Sequence, residues 1–570
     1  MKSTSKWCLG IALSLAAACG ISRLATADDA PSPAASTAVA GTEPLSPFGM
    51  GSCAARSRDP KSWVPQMAEI DVHVLRTPGG TGWKGVPRTD WTALDDNLKY
   101  FESQGAYSGG TFFSGRGKAK SGFPLDDLKG WTEFVTTMTA HTKGKIKYWE
   151  LWNEPPNGTK NSPASDYAKY TVATYNAAKK GDPNCLIGLA AKSVHINYLD
   201  QAIVAGAKDH FDYITLHPYE TLGCAVECPG AEPVFMSIVP SLRKMLAARN
   251  PSKINAPLWL TEVGSNAGKS GEDGQCRSLV KCYTMGIAQG MAVINWFEGR
   301  DGDSGPMGVM TADGTKRRSY YALGLLTKHL GLHPTYLGWV LLNDKSYGFV
   351  FKGAKSNVLI TWARKGTTDD VDFGQPVEII DTQTAQSQQS QTLKLTEDPA
   401  IIVSAPDTIV ATATANKNKP FPWGGDYTNA KSISVTFGEK VEEKGLHTRA
   451  GEAVAADVVA YGGNARVGNL PGGQTFMVDP NFLSYTSTPI EIAIVCRLAP
   501  DGKPAKLSVD YESVNGMTKT APYEIPDNKE WHTAKWTIKD SQFVSMYGFN
   551  FRIDKGTYYM QSVTITKLDK

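Results

Sequence analysis

Eight strand-like segments alternate with helix-like segments between residues 48 and 298, and this alternation restricts the possible folds more than any other feature. The strand-like segments are FGMGS (48–52), VHVLRT (72–77), AYSGGTFF (106–113), IKYWELWNE (146–154), CLIGLA (185–190), FDYITLHPY (211–219), PLWLTEV (257–263) and AVINWFE (292–298). Between them, apolar residues recur at three- and four-residue intervals, as on the buried face of a helix. Trp91, Leu94 and Leu98 form one such set. Eight strand–helix units in this length predict a (β/α)8 barrel over residues 47–332.

A doubly wound open sheet is the alternative that the same alternation permits. Such sheets commonly bind nucleotides through GxGxxG or GxxxxGK[ST] loops, and neither loop follows any of the eight segments. The polar and aromatic side chains of Glu154, Glu262 and Trp296 instead fall at the ends of three segments, where a parallel barrel has its active site. We therefore favour the barrel and expect no nucleotide cofactor.

Metal and serine-hydrolase chemistry have no signature in this sequence. The nine histidines are scattered, HExxH is absent, and the aspartates lack the spacing of a calcium loop. The GxSxG motif of serine hydrolases is absent too. The sequence therefore predicts no cofactor and no metal, and it leaves carboxylates as the candidate catalytic groups.

The pattern changes near His333, where short strands separated by turn residues replace the strand–helix alternation. Residues 333–404 are predicted to form a small antiparallel β domain that packs on the barrel. Residues 405–420 resemble a linker. Residues 421–570 alternate again in short strands and predict a jelly-roll-like β-sandwich, of the kind used by carbohydrate-binding modules. The predicted fold class is thus α/β, with a barrel followed by two β domains.

The first 27 residues have the pattern of a secretory signal. Two lysines precede an apolar run that ends at Cys19, and ATA (25–27) offers a small-residue cleavage site. The run is too short to span a bilayer, so we expect a secreted or periplasmic protein without a transmembrane segment in the mature chain. A flexible leader would follow at 28–46. The alternative is a lipoprotein anchored at Cys19, because SLAAACG weakly resembles a lipoprotein signal.

The charge of the chain argues against a nucleic-acid partner. The first 27 residues carry three of the 59 basic residues and no acidic residue, so the remainder has 56 basic and 56 acidic residues. A balanced chain has no net attraction for a polyanion. Seven cysteines remain, and an exported protein permits disulfides. Cys224/Cys228 and Cys276/Cys282 are predicted to staple loops rather than to bind a metal.

The segment IKYWELWNEPPN (146–157) holds the strongest candidate for a catalytic acid. It begins as a β-branched and aromatic run and ends at two prolines, which cannot donate to a strand ladder. Alternation along the strand predicts that Glu150, Trp152 and Glu154 share one face, with Glu154 at the active-site end. An apolar neighbour raises the pKa of a carboxyl group, which suits a general acid.

The tetrapeptide WNEP is much more specific than a single Glu. Together with the longer YWELWNEPPN, it resembles the acid/base motif of retaining glycoside hydrolases of clan A, and it is most similar to family 39-like enzymes. The resemblance covers the barrel and the small β domain. It implies that Glu154 is the acid/base on the fourth strand and that the nucleophile lies on the seventh. Glu262, in LWLTEVGSN, occupies that second position.

The resemblance also implies substrate-binding residues near the two carboxylates. Arg76 would orient Glu262 and keep it ionised, although an ion pair with the inward-facing Glu150 is the structural alternative. Asn153 matches the Asn that hydrogen-bonds the 2-hydroxyl group of the sugar.

Four further residues complete the predicted site. His217 and Tyr219 are expected to share a face of the sixth strand; Tyr219 would donate to the nucleophile, and His217 would face the substrate or serve only in the core. Trp296 resembles the Trp that forms the floor of the sugar subsite. Trp83, in the glycine-rich GGTGWKG loop, is predicted to be a further sugar platform.

Three functions are compatible with these residues. The resemblance implies an exported retaining glycoside hydrolase that cleaves β-glycosidic bonds in a polysaccharide or oligosaccharide. A transglycosylase would use the same residues and transfer the sugar to another sugar instead of water. A non-catalytic carbohydrate-binding or adhesion protein on the same barrel would not need both carboxylates. The expected partner is a carbohydrate, and the sequence leaves the oligomeric state open.

Overall fold

The computed structural model describes residues 45–569 with internal gaps at 52–58, 77–80, 115–121, 157–161, 424, 439, 450–456, 461–462, 471, 500–503 and 529. The predicted signal, the alternative anchor at Cys19 and most of the predicted leader therefore lie outside the described residues. Every described residue belongs to one compact unit.

Eight parallel strands close into a barrel, which confirms the predicted fold and excludes the open sheet. The sheet consists of these eight strands and one additional two-residue strand, β3. The strands are β1 (Phe48–Gly51), β2 (Val74–Arg76), β3 (Gly82–Trp83), β4 (Tyr107–Ser114), β5 (Tyr148–Leu151), β6 (Leu186–Lys192), β7 (Tyr213–His217), β8 (Leu258–Val263) and β9 (Val293–Trp296). Neighbours pair in the order β2-β1-β9-β8-β7-β6-β5-β4, and β2 also pairs with β4, which closes the ring. The short β3 pairs with the last two residues of β4, Phe113 and Ser114.

Helices connect the barrel strands, as the apolar intervals predict. They are α1 (Val64–Glu69), α2 (Thr92–Ser103), α3 (Leu128–His141), α4 (Ala164–Gly181), α5 (Ile196–Ala202), α6 (Tyr219–Glu227), α7 (Glu232–Met236), α8 (Ile238–Arg249), α9 (Ala267–Ala288) and α10 (Arg318–Leu330). Leu94 and Leu98 of α2, for example, are both buried. Within the described part of the chain, no helix is long and apolar enough to cross a membrane.

An aromatic layer fills one end of the barrel interior and leaves the other end for polar groups. Tyr148 of β5 packs against Tyr107, Tyr213 and Trp259 of neighbouring strands, with ring centroids 4.7–5.8 Å apart. The next inward-facing residue of β5 is Glu150, because alternate side chains of a strand point to the same face. The polar layer therefore begins directly above the aromatic layer, toward the carboxyl ends of the strands.

The region after the barrel forms a six-stranded antiparallel sheet. Its strands are β10 (Thr335–Leu342), β11 (Ser346–Lys352), β12 (Asn357–Trp362), β13 (Asp369–Asp381), β14 (Ser387–Leu395) and β15 (Ala400–Val403), paired in the order β10-β11-β12-β15-β13-β14. The sequence analysis did not predict β14. This strand lies at the sheet edge and is mostly exposed, so its sequence SQQSQTLKL carries no apolar alternation.

The linker predicted at residues 405–420 is wrong in part, because it contains helix α11 (Asp407–Asn416). The helix packs on β10 so closely that a Cβ built on Gly338 would lie 1.8 Å from the carbonyl oxygen of Ala413. Ala413 is the only residue of α11 that is fully buried. A single buried alanine gives no apolar period, which explains why the sequence pattern resembled a linker.

The C-terminal region is a β-sandwich, as predicted. Its strands are β16 (Ser432–Phe437), β17 (Val441–Lys444), β18 (Leu446–Thr448), β19 (Asp457–Ala460), β20 (Gly463–Val467), β21 (Gln474–Val478), β22 (Ile490–Leu498), β23 (Lys506–Leu507), β24 (Val509–Ser513), β25 (Gly516–Lys519), β26 (Tyr523–Glu524), β27 (His532–Ile538), β28 (Phe551–Ile553) and β29 (Tyr558–Lys567). One main sheet contains β16, β29 and β22, and the other has the order β18-β21-β28-β24-β25. Apolar residues of both sheets form a separate core.

The sandwich packs directly on the barrel. Met477 of β21 lies in an apolar cluster with Cys224 and Cys228, which belong to the connection after β7. The hydroxyl group of Tyr485 donates to Asp200 of α5 at 2.8 Å, and both groups are buried. These contacts describe a docked domain rather than one held only by a tether.

The cysteine staples predicted from the sequence are wrong. Six of the seven cysteines after residue 27 lie in the described part of the chain, and all six are buried free thiols; the seventh, Cys53, lies outside it. The Sγ atoms of Cys224 and Cys228 are 3.7 Å apart, well beyond the length of a disulfide. Cys276 and Cys282 lie on the single helix α9. These cysteines therefore serve as small apolar core residues.

Candidate active site

The candidate acid Glu154 lies in a turn just beyond β5 rather than in the strand. Trp152 and Glu154 both have left-handed backbone angles, with φ of 68° and 53°. Such angles are costly for residues other than glycine and are concentrated at functional sites. The turn directs the ring of Trp152 against Phe123 and Tyr170, at centroid distances of 5.2 and 5.6 Å. The prediction that Trp152 shares a face with Glu154 is therefore wrong, because the strand ends first.

Glu262 lies on β8 and is held by two donors. Arg76 donates from Nη1 to Oε2 of Glu262 at 2.9 Å, and the hydroxyl group of Tyr219 donates to Oε1 at 2.9 Å. Tyr219 is the first residue of α6, not a residue of β7 as predicted, since β7 ends at His217. Both Oε atoms are thus fixed in position.

Glu154 and Glu262 face each other across His217. One side-chain oxygen of each carboxylate and one imidazole nitrogen all lie within 4.8 Å of one another. Nδ1 of His217 lies 3.1 Å from Oε1 of Glu154 and 3.7 Å from Oε2 of Glu262. The barrel therefore brings together the two carboxylates that the sequence analysis singled out.

The side chain of Glu150 is buried directly beneath Glu154 and Glu262. Its carboxylate accepts hydrogen bonds from Arg76 and from the hydroxyl groups of Thr111, Thr215 and Thr261, which point into the barrel from β4, β7 and β8. Burial raises the pKa of Glu150, but the charge of Arg76 and the other donors lower it more, so the net pKa lies well below the usual range. Glu150 therefore remains ionised and anchors Arg76.

Arg76 connects three of the site residues. Besides Glu150 and Glu262, it donates from Nη2 to Oδ1 of Asn153 at 2.9 Å. Both alternatives considered for Arg76 are therefore present at once: the ion pair with Glu150 and the contact with Glu262. The contact with Asn153 leaves the amide NH2 group of Asn153 as the end that can donate to a ligand.

His217 is a cation that affects the carboxylates around it. Burial lowers the pKa of His217, but the negative charge of Glu262 and the hydrogen bonds to Glu150 and Glu154 raise it to about 9. Burial also raises the pKa of Glu154, but the hydrogen bond and charge of His217 lower it more. The net pKa of Glu154 is thus below its ordinary value, contrary to the expectation from the apolar neighbour. The sequence analysis named His217 but could not include its effect on the pKa of Glu154, because the two residues are 63 positions apart in the sequence.

Glu154, His217 and Glu262 also have the spacing of a metal-binding group. Two observations disfavour that use of these residues. Arg76 lies 2.9 Å from Glu262, where its charge would repel a metal cation. The raised pKa of His217 favours the protonated imidazole, which has no lone pair for a metal. Glu154, His217 and Glu262 are therefore better suited to binding protons than to coordinating a metal ion.

The two predicted sugar platforms are both buried. Trp296 is fully buried at the end of β9, and its indole N–H has no hydrogen-bond partner among the described residues. Trp83 is 2% exposed and packs edge-on against Trp131 at 5.7 Å. In this structure neither ring has an exposed face on which a sugar could stack, because each is covered by the barrel and its helices.

A second group of residues at the barrel mouth was not predicted. Lys192 ends β6 in register with His217, and His195 follows it at 7% exposure. Tyr547 of the sandwich packs against His195. The alternation of β6 could have identified Lys192. Sequence reasoning had no signal for Tyr547, which belongs to a different domain.

No family model and no curated protein matches this chain. Among solved structures, a family 39 glycoside hydrolase from Bacteroides cellulosilyticus WH2 is similar, with a TM-score of 0.53 and 19% identity over 63% of this chain and 81% of that chain. The barrel shares its fold with this hydrolase. A family 30 subfamily 8 xylanase from Clostridium acetobutylicum and a family 51 arabinofuranosidase from Xanthomonas axonopodis pv. citri match at TM-scores of 0.45 and 0.44, with 12% identity. Each covers 63% of this chain and 96% of that chain, and both are too distant to carry an argument.

Proposed function

We propose that this chain is a retaining glycoside hydrolase that cleaves β-glycosidic bonds in a polysaccharide or oligosaccharide. One observation carries the proposal: oxygens of Glu154 and Glu262 lie within 4.8 Å of each other at the mouth of the barrel. Retaining glycosidases have carboxyl groups about 5–5.5 Å apart, whereas inverting enzymes leave about 6.5–9.5 Å for a water molecule. The short separation favours direct attack by one carboxylate.

The environments of the two carboxylates assign their roles. Arg76 and Tyr219 each donate to Glu262, so both oxygens are oriented and the negative charge is stabilised. A charged, oriented carboxylate suits the nucleophile, which attacks the anomeric carbon and forms a glycosyl-enzyme. Glu154 has His217 as its close partner, and it would protonate the departing glycosidic oxygen.

The second step uses the same residues in reverse. Glu154, ionised after giving up its proton, would accept a proton from a water molecule; that water attacks the anomeric carbon, the bond from this carbon to Glu262 breaks, and Glu262 leaves as the free carboxylate. The cationic His217 stabilises the ionised form of Glu154 and therefore favours this step. The NH2 group of Asn153, oriented through Arg76, would bind the 2-hydroxyl of the sugar.

Two other functions use the same geometry. A transglycosylase would differ only in admitting a sugar hydroxyl instead of water in the second step. A carbohydrate-binding protein would have no need for a nucleophile that accepts from both Arg76 and Tyr219. This arrangement favours an enzyme. We also propose export, because residues 1–27 have the pattern of a secretory signal.

The test is chemical rescue of the Glu262→Ala variant on aryl β-glycosides with a good leaving group. The variant should lose measurable hydrolysis, and azide should restore turnover and give the glycosyl azide of inverted configuration, because the small anion enters the vacated space. NMR of the product reports the configuration. Hydrolysis by Glu262→Ala without added anion would contradict the proposed nucleophile.

The matched test of the acid is Glu154→Gln. Loss of general acid catalysis should slow oligosaccharides by about 10²–10⁴-fold, while aryl glycosides with good leaving groups are spared in their first step. Steady-state rates on both substrate types measure the difference. Equal losses on the two substrates would exclude an acid role for Glu154.

A further inference from the structure

A loop of the C-terminal sandwich reaches the active-site end of the barrel. The carbonyl oxygen of Met546 accepts from Oγ of Ser193 at 2.5 Å and from the N–H of Val194 at 3.4 Å, directly after β6. The carbonyl oxygen of Ser545 accepts from Oγ1 of Thr221 at 3.2 Å, in the helix that follows β7. One loop therefore contacts both connections that border Glu154 and Tyr219.

This loop has a fixed shape. The buried carboxylate of Glu512 accepts from the N–H groups of Val544, Ser545 and Met546. Gly548 has φ of 77°, and a Cβ at this position would lie 2.7 Å from the carbonyl oxygen of Glu220, so only glycine permits the close approach to α6. The loop is thus fixed by Glu512 within the sandwich and by the close contact of Gly548 with α6 of the barrel.

The loop presents Tyr547 beside His195. The two rings are perpendicular, with centroids 5.0 Å apart. His195 is 7% exposed, and its Nε2 has no hydrogen-bond partner among the described residues, so ring packing rather than a bond from Nε2 fixes the imidazole. Tyr547 is half-buried, and its hydroxyl group has no protein partner in the described part of the chain. Part of the Tyr547 side chain and a hydroxyl group without a described protein partner are therefore accessible beside His195.

Lys192 interacts electrostatically with both Glu154 and His195, the residue on which Tyr547 packs. It pairs in register with His217, whose side chain points into the barrel mouth, so Lys192 points to the same side. Its backbone N–H donates to the carbonyl oxygen of Pro155 at 3.0 Å, and its charge is close enough to lower the pKa of Glu154. The ammonium group has no ion pair with any described residue.

We propose that Tyr547 and Lys192 form the subsite for the sugar on the leaving-group side of the scissile bond. His195 positions Tyr547. The inference rests on the proposed hydrolase function, because the acid would stand beside the departing oxygen. Lys192 and His195 lie within electrostatic range of that acid, and Tyr547 packs on His195. The tyrosine face stacks on the C–H surface of a pyranose, and the ammonium group donates to its hydroxyl groups. The sandwich is then part of the active site, not a separate targeting module.

The test compares two leaving groups in the full-length chain. A panel of β-linked gluco-, xylo-, manno- and galacto-oligosaccharides is measured beside the corresponding β-glycosyl fluorides, whose leaving group is too small to reach Tyr547. Tyr547→Ala should lower kcat/KM for the oligosaccharide that wild type cleaves fastest by about tenfold or more, mainly through KM. Its activity on the matching fluoride should stay within about twofold. Tyr547→Phe, which retains the ring, should keep most of the activity.

Two controls define the outcomes that contradict the subsite. Tyr559→Ala, on β29 in the other sheet of the sandwich, should change neither substrate, and Lys192→Met should behave as Tyr547→Ala does. Unchanged oligosaccharide cleavage by Tyr547→Ala, or equal loss on the fluoride, would overturn the subsite while leaving the hydrolase intact. A wild-type chain that cleaves none of the substrates would overturn the proposed hydrolase, and the subsite with it.

Discussion

At the scale of single residues, the charge of His217 lowers the pKa of Glu154, the proposed acid. Its imidazole lies 3.1–3.7 Å from oxygens of three carboxylates, Glu150, Glu154 and Glu262. Only a cation can be placed among three negative groups without a large electrostatic cost. The site therefore retains a proton on His217 at neutral pH and lowers the pKa of Glu154.

His217→Gln is predicted to move the alkaline limb of the kcat/KM profile to higher pH. Removing the cation removes the interaction that lowers the pKa of Glu154, so the acid stays protonated to a higher pH. Initial rates on an oligosaccharide between pH 4 and pH 10 measure the limb. Tyr219→Phe, which leaves His217 in place, should not move that limb. A limb that moves to lower pH in His217→Gln would show that His217 does not act on Glu154.

The sequence identified the two carboxylates that the barrel brings together, but not the electrostatics around them. Glu154 and Glu262 could be predicted because a rare tetrapeptide and a strand end both identify them. The lowered pKa of Glu154 could not, because it depends on His217, which lies 63 residues further along the chain. Trp83 looked accessible in a glycine-rich loop, but its partner Trp131 covers it.

At the scale of elements, the contact between α11 and β10 depends on the absence of a side chain at Gly338. Gly338 has φ of 150°, and its missing Cβ gives the helix backbone room to approach. The small β domain thus includes residues 407–416 as a packed helix.

Gly338→Ala is predicted to destabilise the chain by at least about 2 kcal/mol more than Gly366→Ala. Both glycines lie in the same domain with positive φ, 150° at Gly338 and 74° at Gly366, so alanine is strained at either position, but an added Cβ meets backbone atoms only at Gly338. Urea unfolding monitored by circular dichroism measures the difference. Equal midpoints for the two variants would mean that α11 does not pack on β10.

Helices and strands could be predicted from the sequence where their buried apolar residues recur at a regular interval. All eight barrel strands lie within two residues of the predicted positions except at the end of β5, where the chain turns before the two prolines. The exposed edge strand β14 and the helix α11 were missed because neither buries a repeating set of apolar residues.

At the scale of the whole molecule, the barrel and the sandwich are predicted to unfold in one thermal transition. Buried hydrogen bonds join them, among them the bonds from Tyr485 to Asp200 and from Asn197 to the carbonyl oxygen of Ser513. Calorimetry should give equal calorimetric and van't Hoff enthalpies for the wild-type chain. Tyr485→Phe should lower the stability of the whole transition by about 1 kcal/mol. Tyr523→Phe, on the exposed side of the sandwich, should have no effect. Two separate peaks would show independent domains.

The hydrogen bond between Ser193 and Met546 joins residues 353 positions apart in the chain, and this separation affects the order in which the site forms during synthesis. Ribosomes deliver a chain from its N-terminus, and domains generally fold as they emerge. The barrel strands are synthesised well before Met546. Ser193, Asn197 and Thr221 at the rim therefore remain in contact with water until their partners in the sandwich have been made. A nascent chain with a finished barrel therefore still lacks the sandwich loop at the barrel rim, and the candidate site reaches its final form only late in synthesis.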